Sequence, residues 1–367
     1  LTLGVPANAE TIPLSTIEDL QKIGNDDAFP LNGSYVLTQD MDARATATWN
    51  DGAGFDPIGE YNYFSSSKSF KGTLDGQGHV ILGLNINRPD QDFVGMFEYV
   101  GNTGLIKNVV LLGGAVRGRY RVGALAATVD GGTFECCSAQ TYVSGTALVG
   151  GLVGTISYGA INRCHTSGVV TGVERYTGGL VGRHGEGISP SVLLNCYSRA
   201  VVTGGDLYTG GLAGLNAGVI QNSFSAGDVT AGPDSTAIGG FTGENSGVIT
   251  ACYWDKDVTG QSGSAGGSGR TTAEMTHPYA ENTYVGWDFA ETWVADVEPA
   301  SNDGYPRLLE NLPLLEENCD DGDLCTIDRY NWEICACENI SLECDDEDGC
   351  TVDACIDGVC VHTPILC

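Results

Sequence analysis

The stretch Gly150-Gly151-Leu152-Val153-Gly154 decides the fold, because it returns as Gly178-Gly179-Leu180-Val181-Gly182, as Gly210-Gly211-Leu212-Ala213-Gly214 and as Gly239-Gly240-Phe241-Thr242-Gly243. Looser copies precede it at Val122-Gly123-Ala124-Leu125 and Val94-Gly95-Met96-Phe97. Measured between Gly95, Gly123, Gly150, Gly178, Gly210 and Gly239, the steps are 28, 27, 28, 32 and 29 residues. A second phrase keeps the same beat. Cys164 to Gly172 aligns with Cys196 to Gly204, Ser223 to Ala231 and Cys252 to Gly260, while Cys137 to Gly145 and Val110 to Gly118 are weaker members. Two independent columns establish the period.

The pieces within each repeat are short: Gly-Leu-Val-Gly, then an Ile- or Val-containing four-mer such as Gly218-Val219-Ile220-Gln221, then Val-Thr-Gly. β-Branched residues between glycines suit short strands joined by tight turns. No helical periodicity of useful length runs between Phe93 and Thr259, which disfavours a helical repeat. Three short strands per period are what one coil of a parallel β-solenoid requires. The expectation is an all-β chain of about six or more coils, spaced ~4.8 Å apart around a core roughly 30 Å long. Leu125, Leu152, Leu180, Leu212 and Phe241 are then expected to point inward, because an exposed apolar ladder of that length would aggregate. The glycines beside them either take positive φ or let the next coil approach closely. The column Val110, Cys137, Cys164, Cys196, Ser223 and Cys252 reads as a row of small, buried, mostly thiol side chains. The alternative is a disulfide between coil neighbours such as Cys137 and Cys164, whose stacked spacing falls within the ~4.4–6.8 Å window for a bridge.

These repeats resemble the GLUG motif, named for Gly-Leu-(bulky aliphatic)-Gly and found in large bacterial surface and secreted proteins. Phe70-Lys71-Gly72-Thr73-Leu74-Asp75-Gly76-Gln77-Gly78-His79 resembles the opening coil of right-handed β-helix proteins. Tyr253-Trp254-Asp255 with Thr271-Thr272-Ala273-Glu274-Met275 fits the same families. The resemblance covers roughly residues 15–310 and implies a right-handed β-helix on a surface or secreted protein. It implies no single activity, since the motif occurs in adhesins and protease passenger regions alike.

Four regions are expected: an extension and cap over 1–30, the β-helix over 31–262 with its repeats at about 93–262, a C-terminal cap over 263–309, and an acidic Cys-rich module over 310–367. Ser15-Thr16-Ile17-Glu18 is a capping-box pattern opening a short helix through Ile23, and Thr271-Thr272-Ala273-Glu274 repeats it. The aromatic group Trp287, Phe289, Trp293 and Tyr305 is expected to close the bottom of the core, since open sheet edges invite aggregation.

The last region is a different material, with 16 acidic side chains and one basic one. Cys319-Asp320-Asp321-Gly322-Asp323-Leu324-Cys325-Thr326-Ile327-Asp328 overlays Cys344-Asp345-Asp346-Glu347-Asp348-Gly349-Cys350-Thr351-Val352-Asp353, and the second unit continues with Cys355, Cys360 and Cys367. This resembles the slime-mould-type Cys-Thr-x-Asp-x-Cys repeat. Tyr330 stands where the first unit would close with a cysteine, and Cys335 and Cys337 depart from the pattern, so no pairing carries over. The nine cysteines read as a disulfide framework, which persists in an oxidising compartment. Nine cannot all pair among themselves, and Cys367 looks like the first cysteine of a third unit, so the natural chain is expected to continue. Asp320, Asp321, Asp323, Asp328, Asp345, Asp346, Asp348 and Asp353 bring hard oxygen ligands together and make calcium a candidate cofactor. The EF-hand spacing is absent, and a solvated acidic surface is the commoner meaning of such a run.

Composition narrows the function. With 17 basic against 47 acidic residues the net charge is −30, which argues against nucleic acid and anionic membrane surfaces as partners. No apolar run is long enough to span a bilayer. Leu1 is not a start methionine, so the chain reads as mature or truncated, and from the dense late cluster of cysteines the protein reads as extracellular. Catalytic signatures are missing: His79 has no Gly-His-Gly or Asp-Asp companion, and His184-Gly185-Glu186 lacks zinc-protease spacing. The five histidines are scattered and expected at the surface. The expected function is a structural or adhesive component of a cell surface or matrix, with self-association into a fibre, through a solenoid end or Leu1–Ala9, as one form. Other surface or matrix components, glycans included, are the expected partners. A carbohydrate-binding or carbohydrate-cleaving β-helix is the alternative.

Overall fold

The computed structural model describes residues 11–61, 68–185, 191–232, 235–297 and 302–309, together with the backbone of four strands beyond residue 325. Among these residues the chain winds into a parallel β-solenoid of about six turns with three sheets of 13, 12 and 5 strands. One coil shows the path. Ala147–Gly150 lies in the small sheet, Val153–Asn162 in the largest, His165–Gly172 in the third, and Arg175–Gly178 returns to the small sheet one level down. The repeated phrase is one vertical line of this stack: Gly123 pairs with Gly150, Gly150 with Gly178, Gly178 with Gly210 and Gly210 with Gly239.

Leu125, Leu152, Leu180, Leu212 and Phe241 are each 0% exposed. Each donates its backbone N–H to the carbonyl of the next at 3.0, 2.9, 2.9 and 2.8 Å, so the apolar ladder is also a hydrogen-bonded one. The glycines serve close approach. A Cβ on Gly151 would sit 2.2 Å from the carbonyl oxygen of Gly179, and one on Gly179 would sit 2.2 Å from that of Gly211. Neither takes positive φ. Left-handed backbone falls on other residues at two corners of the coil. One corner carries Asn108, Cys136, Arg163, Asn195, Asn222 and Ala251, the other Arg121, Leu148, Tyr176 and Tyr208, all with φ between 49° and 61°. Asparagine tolerates that region; the remaining side chains are held there at a cost of about 1–2 kcal/mol each, offset by the in-register coils above and below.

The cysteine column runs one residue differently from the sequence alignment. Ser138 pairs with Val110, so Val109, not Val110, lies above Cys137. Below it Cys164, Cys196, Ser223 and Cys252 follow in register. The difference arises because Val109 completes the corner turn after left-handed Asn108, whereas Val110 opens the next strand.

The ends depart further from expectation. Helix α1 (Ile17–Lys22) covers the top of the core with Ile17, Leu20 and Ile23. Its N-cap is Thr16 rather than Ser15: Asp19 N donates to Thr16 Oγ1 at 3.2 Å, and Ser15 N donates to Asp19 Oδ2 at 3.1 Å. At the other end, α2 (Lys256–Thr259) leads to α3 (Thr272–Met275), where Thr271 and Glu274 form the reciprocal capping box. The aromatic group does not close the bottom. Trp287, Trp293 and Tyr305 join Met275 and Tyr284 in a second apolar cluster over Tyr197, Phe224 and Tyr253, on the outer flank of the third sheet, and Phe289 is 38% exposed. The reason lies in the repeats. Tyr197, Phe224 and Tyr253 stack in register one residue after the core-facing column, so they face outward and form a second apolar surface that needs a cover. The bottom is closed by the glycine-rich segment instead: Ser264 Oγ accepts from the N–H groups of Phe241 and Thr242 at 3.1 and 3.0 Å.

Candidate functional site

The described surface is concave where α1, the Gly24–Leu31 loop and the turn around Trp49 meet at the N-terminal end of the solenoid. A cleft of about 530 Å³ is lined by Trp49, Glu18, Gln21, Asn25, Asp26 and Asp56, among others. A second, of about 370 Å³, shares Asn25 and Asp56 with it and adds Glu60, Lys68 and Glu98. Trp49 is half-buried and packs partly against the main core.

The polar walls are held by local bonds. The Gln21 amide pairs with the Asp56 backbone in both directions, donating to the carbonyl at 3.0 Å and accepting from the N–H at 2.8 Å. Asn25 Nδ2 donates to the Gln21 carbonyl at 2.9 Å. Arg88 pairs with Asp56 Oδ1 at 2.9 Å, Lys22 with Asp19 at 2.9 Å, and Lys68 with Glu60. Glu98 accepts the N–H of Tyr61 at 2.7 Å. Burial, reinforced by the charges of Glu60 and Asp56 and opposed by the Tyr61 hydrogen bond and Arg88, pushes its carboxyl up to about 7. A carboxyl raised by burial, lining a cleft, makes this region the candidate site. Nothing in the sequence reading pointed to Trp49, Gln21, Asp56 or Glu98. Gln21, Trp49 and Asp56 lie before the repeats begin and Glu98 follows directly on the first copy, so only the path of the chain around α1 brings them together.

The cysteine column has a different chemistry. Cys137, Cys164, Cys196 and Cys252 are buried and carry free thiols, and Cys136 beside them is half-buried. Each buried thiol donates to the carbonyl two residues earlier, at 3.2–3.3 Å, and Ser223 does the same at 2.8 Å. Each of these carbonyls also accepts a backbone N–H from the coil before it, so the thiol adds a second bond, one that the Ser223 hydroxyl makes as well. Cys164 Sγ also accepts from Cys137 N at 3.3 Å. Burial raises the pKa of Cys164 well above the ordinary thiol value and that of Cys196 to about 12, so these thiols stay protonated and unreactive.

Two histidines expected at the surface are buried. His184 is 0% exposed and shares a hydrogen bond of 2.7 Å between its Nδ1 and Asn216 Oδ1. Asn216 in turn donates to Asn245 Oδ1 at 2.7 Å, and the three stack in register, with His184 and Asn216 buried and Asn245 half-buried at the end of the row. Burial lowers the His184 imidazole to about 4. His165 stacks on Tyr197 at 4.6 Å, in the same outward column that the C-terminal cap covers. His79 pairs with Asp40 at 3.2 Å on the surface.

In the C-terminal region the backbone forms two antiparallel hairpins, Thr326–Asn331 with Ala336–Ser341 and Thr351–Ile356 with Val359–Pro364. Their registers set Cys337 opposite Tyr330 and Cys355 opposite Cys360; Asp328 and Asp353 lie on strands. The remaining candidates, Cys319, Cys325, Cys335, Cys344, Cys350, Cys367, Asp320, Asp321, Asp323, Asp345, Asp346 and Asp348, lie outside the described residues, as does Leu1–Ala9. No helix among the described residues is long and apolar enough to cross a membrane.

Parts of the chain are similar to parts of several known proteins. Residues 318–329 and 343–365 match the Dictyostelium (slime mold) repeat. Halomucin from Haloquadratum walsbyi is 39% identical over 150 residues, 40% of this chain and 2% of its own length. A protein from Evansella cellulosilytica described as a candidate Gly-rich membrane protein is 35% identical over 79 residues, 22% of this chain and 8% of its own. The chain therefore spans a small part of either relative. Among solved structures, a candidate immunoglobulin A1 protease from Bacteroides ovatus has the same β-helix fold, with a TM-score of 0.60 over 83% of this chain and 93% of that one. At 17% identity that likeness speaks for the fold alone.

Proposed function

We propose that this chain is a structural or adhesive segment of an extracellular surface protein. The solenoid serves as a stiff spacer, and the acidic Cys-rich module is carried at its C-terminal side. The observation that carries the reading is the unbroken register from Gly123 to Gly239, with every level tied to the next by backbone hydrogen bonds and a continuous apolar core. Such a stack resists bending because each level is bonded along three sheets at once. The sequence likeness to halomucin and to a Gly-rich membrane protein supports a place on a larger surface molecule. The GLUG-like repeats support the same reading. Antibodies against residues 93–262 are expected to label intact cells of the source organism. Labelling that appears only after lysis would overturn the proposal. Negative-stain imaging of the purified protein separates a passive spacer, seen as isolated short rods, from a fibre subunit, seen as filaments.

A further inference from the structure

We propose that the cleft at the N-terminal end of the solenoid binds a neutral polysaccharide chain, with Trp49 as its stacking wall and the carboxylates of Glu18, Asp26 and Asp56 as acceptors for sugar hydroxyls. The cleft of about 530 Å³ and its neighbour of about 370 Å³ share Asn25 and Asp56 in their linings, so a second recess adjoins the first. Sites for small ligands run to about 300–1,000 Å³ and combine an apolar wall with a few converging polar groups. Trp49 supplies that wall. Packing against the core fixes the indole, so little side-chain freedom is lost when the C–H face of a sugar stacks on it.

The polar side is also fixed in advance. Gln21 is clamped to the Asp56 backbone by two hydrogen bonds and Asn25 is bonded back to the Gln21 carbonyl. Arg88 engages Oδ1 of Asp56, and a carboxylate has acceptor capacity for further donors at its second oxygen. Preorganised acceptors suit hydroxyl donors, which bring no charge of their own to desolvate.

The charge pattern selects the class of glycan. Three carboxylates line the larger cleft against one ammonium, that of Lys22, which is already paired with Asp19 at 2.9 Å. A uronate or sulfated chain would meet repulsion there, whereas a neutral hexose or pentose polymer would not. The cleft lies where α1 closes the top of the core, clear of the repeat flanks and of the aromatic cluster that covers the third sheet, so a bound chain leaves the ladder intact.

The test is affinity electrophoresis of the full chain through gels containing β-glucan, xylan or galactomannan, with hyaluronan and dextran sulfate as the anionic arm. Retardation by at least one neutral chain and by neither anionic one is expected. Trp49→Ala is expected to weaken that retardation tenfold or more. Because Trp49 touches the core, Glu18→Gln and Asp26→Asn serve as a second pair: both positions are exposed, their melting temperatures are expected to match the parent, and binding is expected to fall several-fold. The proposal is overturned if no neutral chain retards the protein, if the anionic polymers retard it equally, or if all three variants bind like the parent. It stands apart from the surface reading, because antibody labelling of cells does not depend on the cleft.

Discussion

Replacing Glu98 by Gln isolates one buried titration. The carboxyl has a pKa of about 7 in the folded chain against an ordinary value of 4.5. Its surroundings are Tyr61, whose N–H it accepts, the carboxylates of Glu60 and Asp56, and the Arg88 guanidinium, with Lys68 on the same wall. Because the folded state holds the proton more tightly than the unfolded one, this group's contribution is fully present below about pH 4.5 and is lost as pH rises through about 7. The gap between the two values, at ~1.4 kcal/mol for each tenfold change in affinity, corresponds to about 3.4 kcal/mol. The side chain is not sealed from water, and solvent screening reduces this to roughly 2 kcal/mol. Gln keeps an acceptor for the Tyr61 N–H and carries no charge. Urea melts of parent and Glu98→Gln at pH 5 and pH 8 measure the difference. The two proteins are expected to be similar at pH 5, with the variant more stable by about 2 kcal/mol at pH 8. A variant that is no more stable at pH 8 than at pH 5, relative to the parent, would refute the reasoning.

Further outcomes follow from the ladders. Gly179→Ala drives a Cβ to 2.2 Å from the Gly211 carbonyl and is expected to cost about 3 kcal/mol, whereas Gly263→Ala, with nothing within 4 Å of the added atom, is expected to be nearly silent; paired urea melts decide. Cys164→Ser is expected to be tolerated because Ser223 already accepts from Cys196 N at 3.1 Å, while Cys164→Val leaves Cys137 N without its acceptor and is expected to cost about 1–3 kcal/mol. Peptide mapping after alkylation, without reduction, is expected to show Cys137 and Cys164 modified only once the protein is unfolded; a disulfide-linked peptide would contradict it. His184 is held neutral, with a pKa depressed from 6.5 to about 4, so the stability it contributes is present above pH 6.5 and lost as pH falls through about 4. His184→Gln is expected to flatten that acid limb by about 3 kcal/mol, read as melting temperature against pH.

The β-solenoid was legible because a repeat that stacks on itself puts its information into short-range periodicity. Gly150 and Gly178 pair in space because they are equivalent in sequence, and burial of Leu152 over Leu180 follows from the same equivalence. Irregularities were less legible. The alignment set Val110 over Cys137, since local similarity cannot tell a corner residue such as Asn108 from the first residue of a strand. The cysteines looked like filling, yet each thiol also donates to the carbonyl two residues earlier, a bond whose geometry exists only once the left-handed corner has formed.

What the repeats do not encode is how non-repeating segments settle against them. Tyr197, Phe224 and Tyr253 mark an outward apolar column, but no period says that Trp287, Trp293 and Tyr305 fold back along the flank to cover it rather than sealing the end. The N-terminal cleft is more extreme. Gln21 meets the Asp56 backbone and Tyr61 meets Glu98 across 35 and 37 residues of unrelated sequence. Contacts of that kind are selected by burial and hydrogen bonding in the finished fold. Order along the chain therefore accounts for the solenoid and its core, and the folded arrangement of the non-repeating ends accounts for the candidate site.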